Sequence, residues 1–291
     1  MKQSLPTSPG PIGVFDSGYG GLTILSKIRE ALPQYDYIYL GDNARAPYGT
    51  HSFDVIYRYT LQAVEYLFQN DCTLVILACN TASAKALRTI QQIDLPRINN
   101  KSQKRNVLGV IRPTVEAVPS LTRTGHVGIL ATPATVSSES YVLELEKITN
   151  DADAKNASSL VVTQQACPLW VPLIEAGEHR NPGADYFVDL YLKEIFAKDP
   201  KIDTLVLGCT HYPLLKDKIN QWLQGTDIQT IAQGKLVAES LKDYLHRHPE
   251  YRNQLSQDGT CEYLTTENAD RFAQSASLFL NSPIQATHVD L

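Results

Sequence analysis

Two reactive side chains follow an apolar run near residue 209. Residues 204–215 read TLVLGCTHYPLL, so the thiol of Cys209 and the imidazole of His211 stand two residues apart where a strand-like segment ends. Residues 73–83 read TLVILACNTAS and place Cys79 after a nearly identical run. A thiol beside an imidazole can act as a nucleophile or exchange protons. The sequence therefore contains two similarly placed thiols that could take part in catalysis.

The presence of two such thiols favours a reaction with two proton transfers. A Cys/His hydrolase would use Cys209 with His211 as its nucleophilic pair, but it would leave Cys79 without a role. Racemisation needs one group to remove a proton from a carbon and another to deliver a proton to the opposite face, so two matched thiols suit it. Asp16, in the stretch DSGYGGL, could assist Cys79. A two-lobed binding protein without turnover is the third alternative.

Apolar runs of β-branched character alternate with segments of helical period along the chain. The runs IGVF, YIYL, TLVIL, VLGVI, HVGIL, SLVVT and TLVLG begin at residues 12, 37, 73, 107, 126, 159 and 204. Segments such as GLTILSKIREAL repeat their apolar residues every three or four positions. This alternation predicts an α/β fold of βαβ units with mostly parallel, doubly wound sheets.

The two cysteine phrases indicate an internal repeat. IGVFDS at residues 12–17 also resembles VGILAT at residues 127–132, so each half opens with one such strand and later supplies a strand ending in cysteine. Ligands of parallel sheets bind beyond the carboxyl ends of the strands, where helices begin. A helix N-terminus there lowers the pKa of a thiol and binds carboxylates. We therefore expect an active site in the cleft between two similar domains, with one thiol on each side.

The composition restricts the classes of partner and compartment. The 291 residues carry a formal net charge of −5 without a Lys/Arg cluster, which argues against a nucleic-acid or anionic-membrane partner. The opening MKQSLPTSPGP lacks the apolar core of a signal peptide, and no apolar stretch reaches the length of a membrane span. The five cysteines form no C-x-x-C pair, so we expect free thiols in a cytoplasmic protein. Cys72, Cys167 and Cys261 are expected to be packing thiols.

Motifs spread over nearly the whole chain carry a family resemblance. They are DSGYGGL (16–22), GDNARAPYG (41–49), ACNTAS (78–83), ATPATV (131–136), CPLWVPLIEAG (167–177), GCTHYPLL (208–215) and HVDL (288–291). Together they resemble the aspartate/glutamate racemase family, and within it the glutamate racemases. The resemblance implies interconversion of L- and D-glutamate without a cofactor or a metal, which supplies D-glutamate for peptidoglycan. A racemase of the same fold that acts on aspartate or a hydantoin is the alternative.

The resemblance also implies a role for each matching residue. Cys79 and Cys209 match the two catalytic thiols, the first acting on D-glutamate and the second on L-glutamate. Asp16 matches a group that assists the first thiol, and His211 and Glu175 match groups placed near the second. The residues at matching substrate-binding positions are Ser17, Tyr48, Gly49, Asn80, Thr81, Thr132, Thr135 and Thr210. Their hydroxyl, amide and backbone N–H groups could hold both carboxylates and the ammonium of the substrate.

Domain organisation and partners complete the expectations. Residues 1–104 with 226–291 are predicted to form the first domain, because the terminal segment IQATHVDL could return to its sheet, and residues 105–225 to form the second. The polar segments 99–106 and 150–159 are interpreted as a crossing between domains and an internal loop. Some family members with extended N-termini are activated by a UDP-linked muropeptide precursor. For this chain, the sequence leaves such an activator and a homodimer open.

Overall fold

The structure is a computed structural model that describes residues 9–99, 104–150 and 160–291. In chain order its strands are β1 (Ile12–Asp16), β2 (Tyr37–Gly41), β3 (Leu74–Leu77), β4 (Asn106–Gly109), β5 (His126–Ala131), β6 (Val161–Ala166), β7 (Thr204–Gly208), β8 (Gln229–Ala232), β9 (Cys261–Thr265) and β10 (Thr287–His288). Its α-helices are α1 (Leu22–Ala31), α2 (Phe53–Gln69), α3 (Asn80–Lys85), α4 (Leu87–Thr89), α5 (Leu95–Ile98), α6 (Ile111–Leu121), α7 (Pro133–Ser137), α8 (Ser140–Asn150), α9 (Trp170–Glu175), α10 (Gly183–Lys198), α11 (Lys216–Trp222), α12 (Gln233–Arg247), α13 (Pro249–Arg252) and α14 (Ala269–Leu280). Short 3-10 helices cover Asn43–Arg45, Tyr48–Thr50, Glu178–Arg180 and Tyr212–Leu215, and a π-helical turn covers Ile90–Asp94. The predicted alternation of strands and helices is therefore confirmed.

Two parallel sheets form the centre of the fold. The strand order is β10-β9-β2-β1-β3-β4 in the first sheet and β6-β5-β7-β8 in the second. Each pair of neighbouring strands in the described residues is parallel. The order β2-β1-β3-β4 recurs in the second sheet as β6-β5-β7-β8, which makes β3 equivalent to β7 and β1 equivalent to β5. The topology thus agrees with the internal repeat that the two cysteine phrases indicate.

Helices cover both faces of each sheet, as the alternating side chains of the central strands require. In β1, Val14 packs in the apolar cluster that contains α1, whereas Phe15 packs in the cluster that contains α2. In β5, Ile129 packs with α6 and α8, whereas Leu130 packs in the cluster that contains α9 and α10. Strands that are buried on both faces consist almost wholly of apolar residues. This burial explains why the sequences of the central strands are uninterrupted apolar runs. Helices on both faces also confirm the predicted doubly wound α/β class.

The chain passes between the two sheets later than the sequence predicts. Strand β4 pairs with β3, so the chain leaves the first sheet after Gly109 and not at residue 105. Strand β8 pairs with β7, so the chain returns to the first sheet after Ala232 and not at residue 226. An apolar run identifies a strand, but it does not identify the neighbour with which that strand pairs. The domain limits themselves stay a prediction.

Several smaller predictions can be compared with the strands directly. Strand β10 lies at the edge of the first sheet, which confirms that the segment IQATHVDL returns there. Strand β6 begins two residues later than the run predicted from residue 159. Strands β8 and β9 were not predicted, because their sequences QTIA and CEYLT mix polar residues with few apolar ones. Residues 100–103 and 151–159, which include most of the two segments interpreted as a crossing and a loop, lie outside the described residues.

Asp203 fixes the turn that leads into β5. Its carboxylate accepts hydrogen bonds from Thr122 Oγ1 and from the backbone N–H groups of Arg123 and Thr124, each 2.7 Å long. Thr204 Oγ1 donates a fourth hydrogen bond at 2.9 Å. Burial alone would raise the pKa of Asp203, but these hydrogen bonds outweigh it and lower the pKa to about 2. The charged form of this carboxylate therefore stabilises the folded protein.

We expect Asp203→Asn to lower the free energy of unfolding at neutral pH by about 2 kcal/mol, because one acceptor oxygen and the charge are lost. The carboxylate has a lower pKa in the folded than in the unfolded chain, so its contribution is present above about pH 4 and is lost as the pH falls towards about 2. Urea unfolding at several pH values measures this. Asp243→Asn is the control, since Asp243 pairs with Arg247 at the surface and should contribute less than about 1 kcal/mol. Equal losses in the two variants would contradict the prediction.

Candidate active site

A cavity of about 70 Å³ lies where the carboxyl ends of the two sheets meet. It is lined by residues of both sheets and of the segments that follow their strands. Every predicted site residue except Thr135 contributes to its wall. These residues are Asp16, Ser17, Tyr48, Gly49, Cys79, Asn80, Thr81, Thr132, Glu175, Cys209, Thr210 and His211. The structure thus brings together groups that are up to 195 positions apart in the sequence, the separation of residues 16 and 211.

Cys79 stands between the end of β3 and the start of α3. Its sulfur accepts a hydrogen bond from the backbone N–H of Ala82 at 3.4 Å, which caps the helix. Ser17 Oγ lies 3.3 Å from the same sulfur. Asp16 ends the neighbouring strand β1, and its Oδ2 accepts a hydrogen bond from the backbone N–H of Gly18 at 3.1 Å. The first thiol is therefore held by one sheet, with a carboxyl group close to it.

The environment of Cys79 favours the protonated thiol. Burial and the negative charge of Asp16 raise its pKa to about 12, although the hydrogen bonds with Ser17 and Ala82 act in the opposite direction. Burial also raises the pKa of Asp16, against the positive charge of His211. The backbone N–H of Ala82 at the start of α3 lowers the pKa of this thiol, as expected of a helix N-terminus, but the net shift is upward. The start of the short helix α3 donates one weak hydrogen bond, which does not offset the loss of hydration and the adjacent carboxylate.

Cys209 begins a chain of three groups in the second half. Nδ1 of His211 lies 3.9 Å from Cys209 Sγ, and Nε2 of the same ring lies 2.9 Å from Glu175 Oε1. Burial alone would lower the pKa of His211, but its hydrogen bonds and charge interactions with Cys209 and Glu175 raise the pKa well above its usual value. An imidazolium then donates to the carboxylate on one side and to the sulfur on the other. The second thiol thus has a cationic neighbour, unlike the first.

The segment that follows β1 in the first sheet also contacts the two residues after Cys209 closely. A Cβ atom at Gly20 would lie 2.3 Å from His211 Nδ1 and 2.6 Å from Thr210 Oγ1, so only glycine fits there. Thr23 Oγ1 lies 2.9 Å from the backbone oxygen of Thr210 and 2.8 Å from that of Gly20, and its single proton is shared between these two acceptors. Sequence reasoning did not single out Gly20 or Thr23. The available signal was the pair of glycines in DSGYGGL.

Threonine hydroxyls line one wall of the cavity in a hydrogen-bonded group. Thr81 Oγ1 lies 3.0 Å from Thr132 Oγ1, which joins the segment after β3 to the segment after β5. Thr135, predicted to bind substrate, is fully buried behind this wall and does not line the cavity. Its hydroxyl lies 3.1 Å from Thr132 Oγ1 and its backbone N–H donates to that oxygen at 3.4 Å. Thr135 therefore lies behind the wall, where it contacts the hydroxyl of Thr132 that caps α7, and its role in substrate binding stays a prediction.

Tyr48 and Gly49 reach the cavity on a 3-10 helix. The Tyr48 hydroxyl donates its proton to the buried carboxylate of Asp42, so that proton is not available to a substrate. Burial and the charge of Asp42 raise the pKa of Tyr48, which keeps its proton on the hydroxyl. Arg45 forms an ion pair with the same carboxylate at 2.7 Å. In the cavity wall, Tyr48 can therefore contribute its aromatic ring, and both Tyr48 and Gly49 can contribute backbone groups. The tyrosine hydroxyl instead stabilises the segment between Asp42 and Tyr48.

Several apolar side chains of the wall were not found from the sequence. They are Ala46, Pro47, Pro133, Pro168, Val171 and Pro172, with Gly18 and Thr50 completing the lining. Isolated prolines carry no chemical signal, which explains why the sequence did not indicate them. Apolar walls limit the access of water to a reacting carbon and strengthen electrostatic interactions inside the site.

The remaining thiols lie outside the cavity. Cys72 and Cys167 are fully buried and Cys261 is half-buried, and none of the three lines the cavity. Among the side chains that the structure describes, no group of three or more His, Cys, Asp or Glu residues is arranged to hold a metal ion. Within the same part of the chain, no helix combines the length and the apolar character that a membrane span needs.

Comparisons with known proteins identify the family. The family model for Asp/Glu/Hydantoin racemase matches residues 12–240 of the chain. A glutamate racemase from Ruegeria sp. (strain TM1040) is 40% identical over 283 residues, which cover 94% of this chain and 97% of that protein.

Solved structures of glutamate racemases share the fold. Isoform RacE1 from Bacillus anthracis has a TM-score of 0.84 and 31% identity, with 97% of this chain and 98% of that chain covered. The enzyme from Francisella tularensis, in complex with D-glutamate, has a TM-score of 0.80 and 32% identity at the same coverage. The Escherichia coli enzyme, in complex with L-glutamate and the activator UDP-MurNAc-ala, has a TM-score of 0.66 and 27% identity over 93% of this chain and 96% of that chain. The chain therefore belongs to the Asp/Glu/hydantoin racemase family and is an amino-acid racemase.

Proposed function

We propose that this racemase interconverts L- and D-glutamate, with Cys79 and Cys209 as its two acid–base groups. One observation carries the proposal. The two thiols follow equivalent strands of two sheets, line a single cavity, and each is 6% exposed there. Each also has its own neighbour for proton exchange, Asp16 for the first and His211 for the second. A single-nucleophile hydrolase would need only the second of these arrangements.

In the direction from L- to D-glutamate, Cys209 removes the α-proton and Cys79 delivers a proton to the opposite face of the same carbon. The imidazolium of His211 stabilises negative charge on the Cys209 sulfur before that proton arrives. Cys79 holds its own proton because its pKa is raised. A C–H bond breaks as the S–H bond of Cys209 forms, and a new C–H bond forms as the S–H bond of Cys79 breaks. Cys79 then becomes the thiolate. The reverse reaction begins from that state.

The site must also stabilise the charge that develops on the substrate when the α-proton leaves. Preorganised donors directed at the α-carboxylate are the usual means, because they need no reorganisation during the reaction. The hydroxyls of Ser17 and Thr81 and the amide of Asn80 line the cavity and can serve as such donors. A thiol with a raised pKa is in addition a stronger base once it has lost its proton.

Glutamate is the substrate that the available observations favour. The Francisella tularensis and Escherichia coli relatives are found in complex with D-glutamate and L-glutamate. Among the described residues, the wall of this cavity contains hydroxyl, amide and backbone donors and no Lys or Arg side chain, so neutral donors, with the His211 imidazolium beside them, would hold both carboxylates. Aspartate or a hydantoin remains the alternative substrate. Either substrate would use the same two thiols at its α-carbon but different contacts at the end that lies away from that carbon.

The cellular role follows from the product. We propose that D-glutamate made in the cytoplasm supplies peptidoglycan synthesis, on the strength of the family and its glutamate racemase relatives. UDP-MurNAc-ala is the activator bound by the Escherichia coli relative, and activation of this chain by a UDP-linked muropeptide precursor is a hypothesis by extension. A homodimer also stays a hypothesis, as does the absence of nucleic-acid and membrane partners.

Incubation with L-glutamate in heavy water tests the reaction. We expect newly formed D-glutamate to carry deuterium at the α-carbon, because Cys79 exchanges its proton with solvent before it delivers it. Cys79→Ser and Cys209→Ser should each lower the rate of racemisation by about 10²–10⁴-fold, the usual contribution of a positioned acid or base. Chiral chromatography with mass spectrometry measures both effects.

Cys261→Ser is the matched control, since Cys261 lies outside the cavity and should keep the rate of the unaltered protein. A hydrolase would produce no deuterated enantiomer. A binding protein would show saturable binding of glutamate without any conversion. An aspartate racemase would convert L-aspartate faster than L-glutamate. Racemisation at an unchanged rate in Cys79→Ser would rule out the two-thiol assignment.

Replacing Glu175 by Gln should change the pH dependence of the reaction. The charge of Glu175 and its hydrogen bond raise the pKa of His211, so the variant should have a lower His211 pKa. The imidazolium is lost as the pH rises through that pKa, and the alkaline limb of kcat/KM should therefore move to lower pH. Glu178→Gln, the same substitution at an exposed position nearby, should leave the profile in place. Coincident alkaline limbs for Glu175→Gln and the unaltered protein would disprove this role.

A further inference from the structure

A buried ring of three side chains supports Asn80 from behind the cavity. Asn80 Nδ2 donates to Gln233 Oε1 at 2.6 Å, Gln233 Nε2 donates to Tyr141 OH at 2.9 Å, and Tyr141 OH donates to Asn80 Oδ1 at 2.8 Å. The exposed fractions are 2% for Asn80, 2% for Gln233 and 0% for Tyr141. Gln233 and Tyr141 do not line the cavity and lie outside the motifs that carry the family resemblance.

The ring and the backbone oxygen of Val110, which lies 3.1 Å from Gln233 Nε2, together permit one orientation of the Asn80 amide, because a ring with both amides turned over would place Gln233 Oε1 against that oxygen. An amide nitrogen can only donate, so the Tyr141 hydroxyl must accept from Gln233 and pass its own proton to Asn80 Oδ1. If the Asn80 amide turned over, its oxygen would face the oxygen of Gln233 and both would lack a proton. The ring uses one of the two N–H groups of Asn80 Nδ2. The second is left for the cavity, whose wall includes Asn80.

Gln233 also joins the two segments through which the chain passes between the sheets. Its Nε2 lies 2.9 Å from Thr114 Oγ1 and 3.1 Å from the backbone oxygen of Val110. Because the nitrogen has only two protons, the two shorter contacts, to Thr114 and Tyr141, use both. Thr114 Oγ1 in turn donates to the Val110 oxygen at 3.0 Å. Val110 follows β4 and Gln233 follows β8, so the network lies at both crossings.

We propose that Gln233 and Tyr141 are positioning residues, which hold the Asn80 amide with its free N–H available to a carboxylate of the substrate. The same bonds tie that orientation to the crossings between the sheets. An amide released from the ring could turn its oxygen towards the carboxylate, where two acceptors repel each other. The inference rests on the proposed function, since it concerns how the same site binds its amino acid.

Tyr141→Phe tests the inference, because it keeps the buried aromatic side chain and removes only the hydroxyl that completes the hydrogen-bonded ring. We expect KM for L- and for D-glutamate to rise about 10-fold, the loss that one hydrogen bond to a charged group causes. The effect on kcat/KM must be equal in both directions, because enantiomers have the same free energy. Tyr37→Phe is the matched control, since its buried hydroxyl donates to the backbone oxygen of Leu32 in the first sheet's core. It should leave KM unchanged.

A double-mutant cycle decides whether Tyr141 acts through Asn80. If it does, adding Tyr141→Phe to Asn80→Ala should change KM by less than about 2-fold, because coupled residues are not additive. If the two substitutions instead raise KM by factors that multiply in the double variant, the inference is overturned. A Tyr141→Phe variant that loses thermal stability but keeps its KM would also overturn it. Absence of any glutamate racemisation by the unaltered protein would instead defeat the proposed function. The two failures are therefore distinguishable.

Discussion

Because neighbouring strands in the described sheets are parallel, the carboxyl ends of each sheet lie along one edge, and both edges border the same cavity. Strands β3 and β7 are equivalent and end next to Cys79 and Cys209, so the repeat in topology supplies one thiol from each sheet. The proposed proton exchange across one carbon depends on this arrangement, because thiols that come from two different sheets can approach a bound substrate from two sides. The contact of Thr23 with Thr210 then holds the two edges together.

The backbone repeat is not matched by a repeat in charge. Cys79 has the carboxyl group of Asp16 beside it, and its raised pKa keeps the thiol protonated. Cys209 has the imidazolium of His211, held by Glu175, beside it. The two thiols therefore have neighbours of opposite charge, a carboxyl group on one side and an imidazolium on the other. The proposed reaction uses the same two thiols for both enantiomers, with their protons exchanged.

The sequence predicted the α/β class, most strands of both sheets and the two thiols, because these depend on apolar runs and on rare residue types. It could not predict which sheet β4 and β8 join, since a strand's pairing partner is not encoded in its own residues. The helix N-terminus lowers the pKa of Cys79 as expected, but burial and the adjacent carboxylate have larger effects than one backbone N–H. Thr135 is predicted from its motif to bind substrate, but the structure buries it behind Thr132, whose hydroxyl caps α7.

Gln233 and Tyr141 escaped sequence reasoning for a different reason, since a single glutamine and a single tyrosine carry no local pattern. Their importance arises only when three distant segments meet in a buried ring, where each polar atom needs a partner. The ring lies at both crossings, where the chain passes from one sheet to the other. The orientation of the Asn80 amide is therefore tied to the segments that join the two sheets and not only to the segment that follows β3.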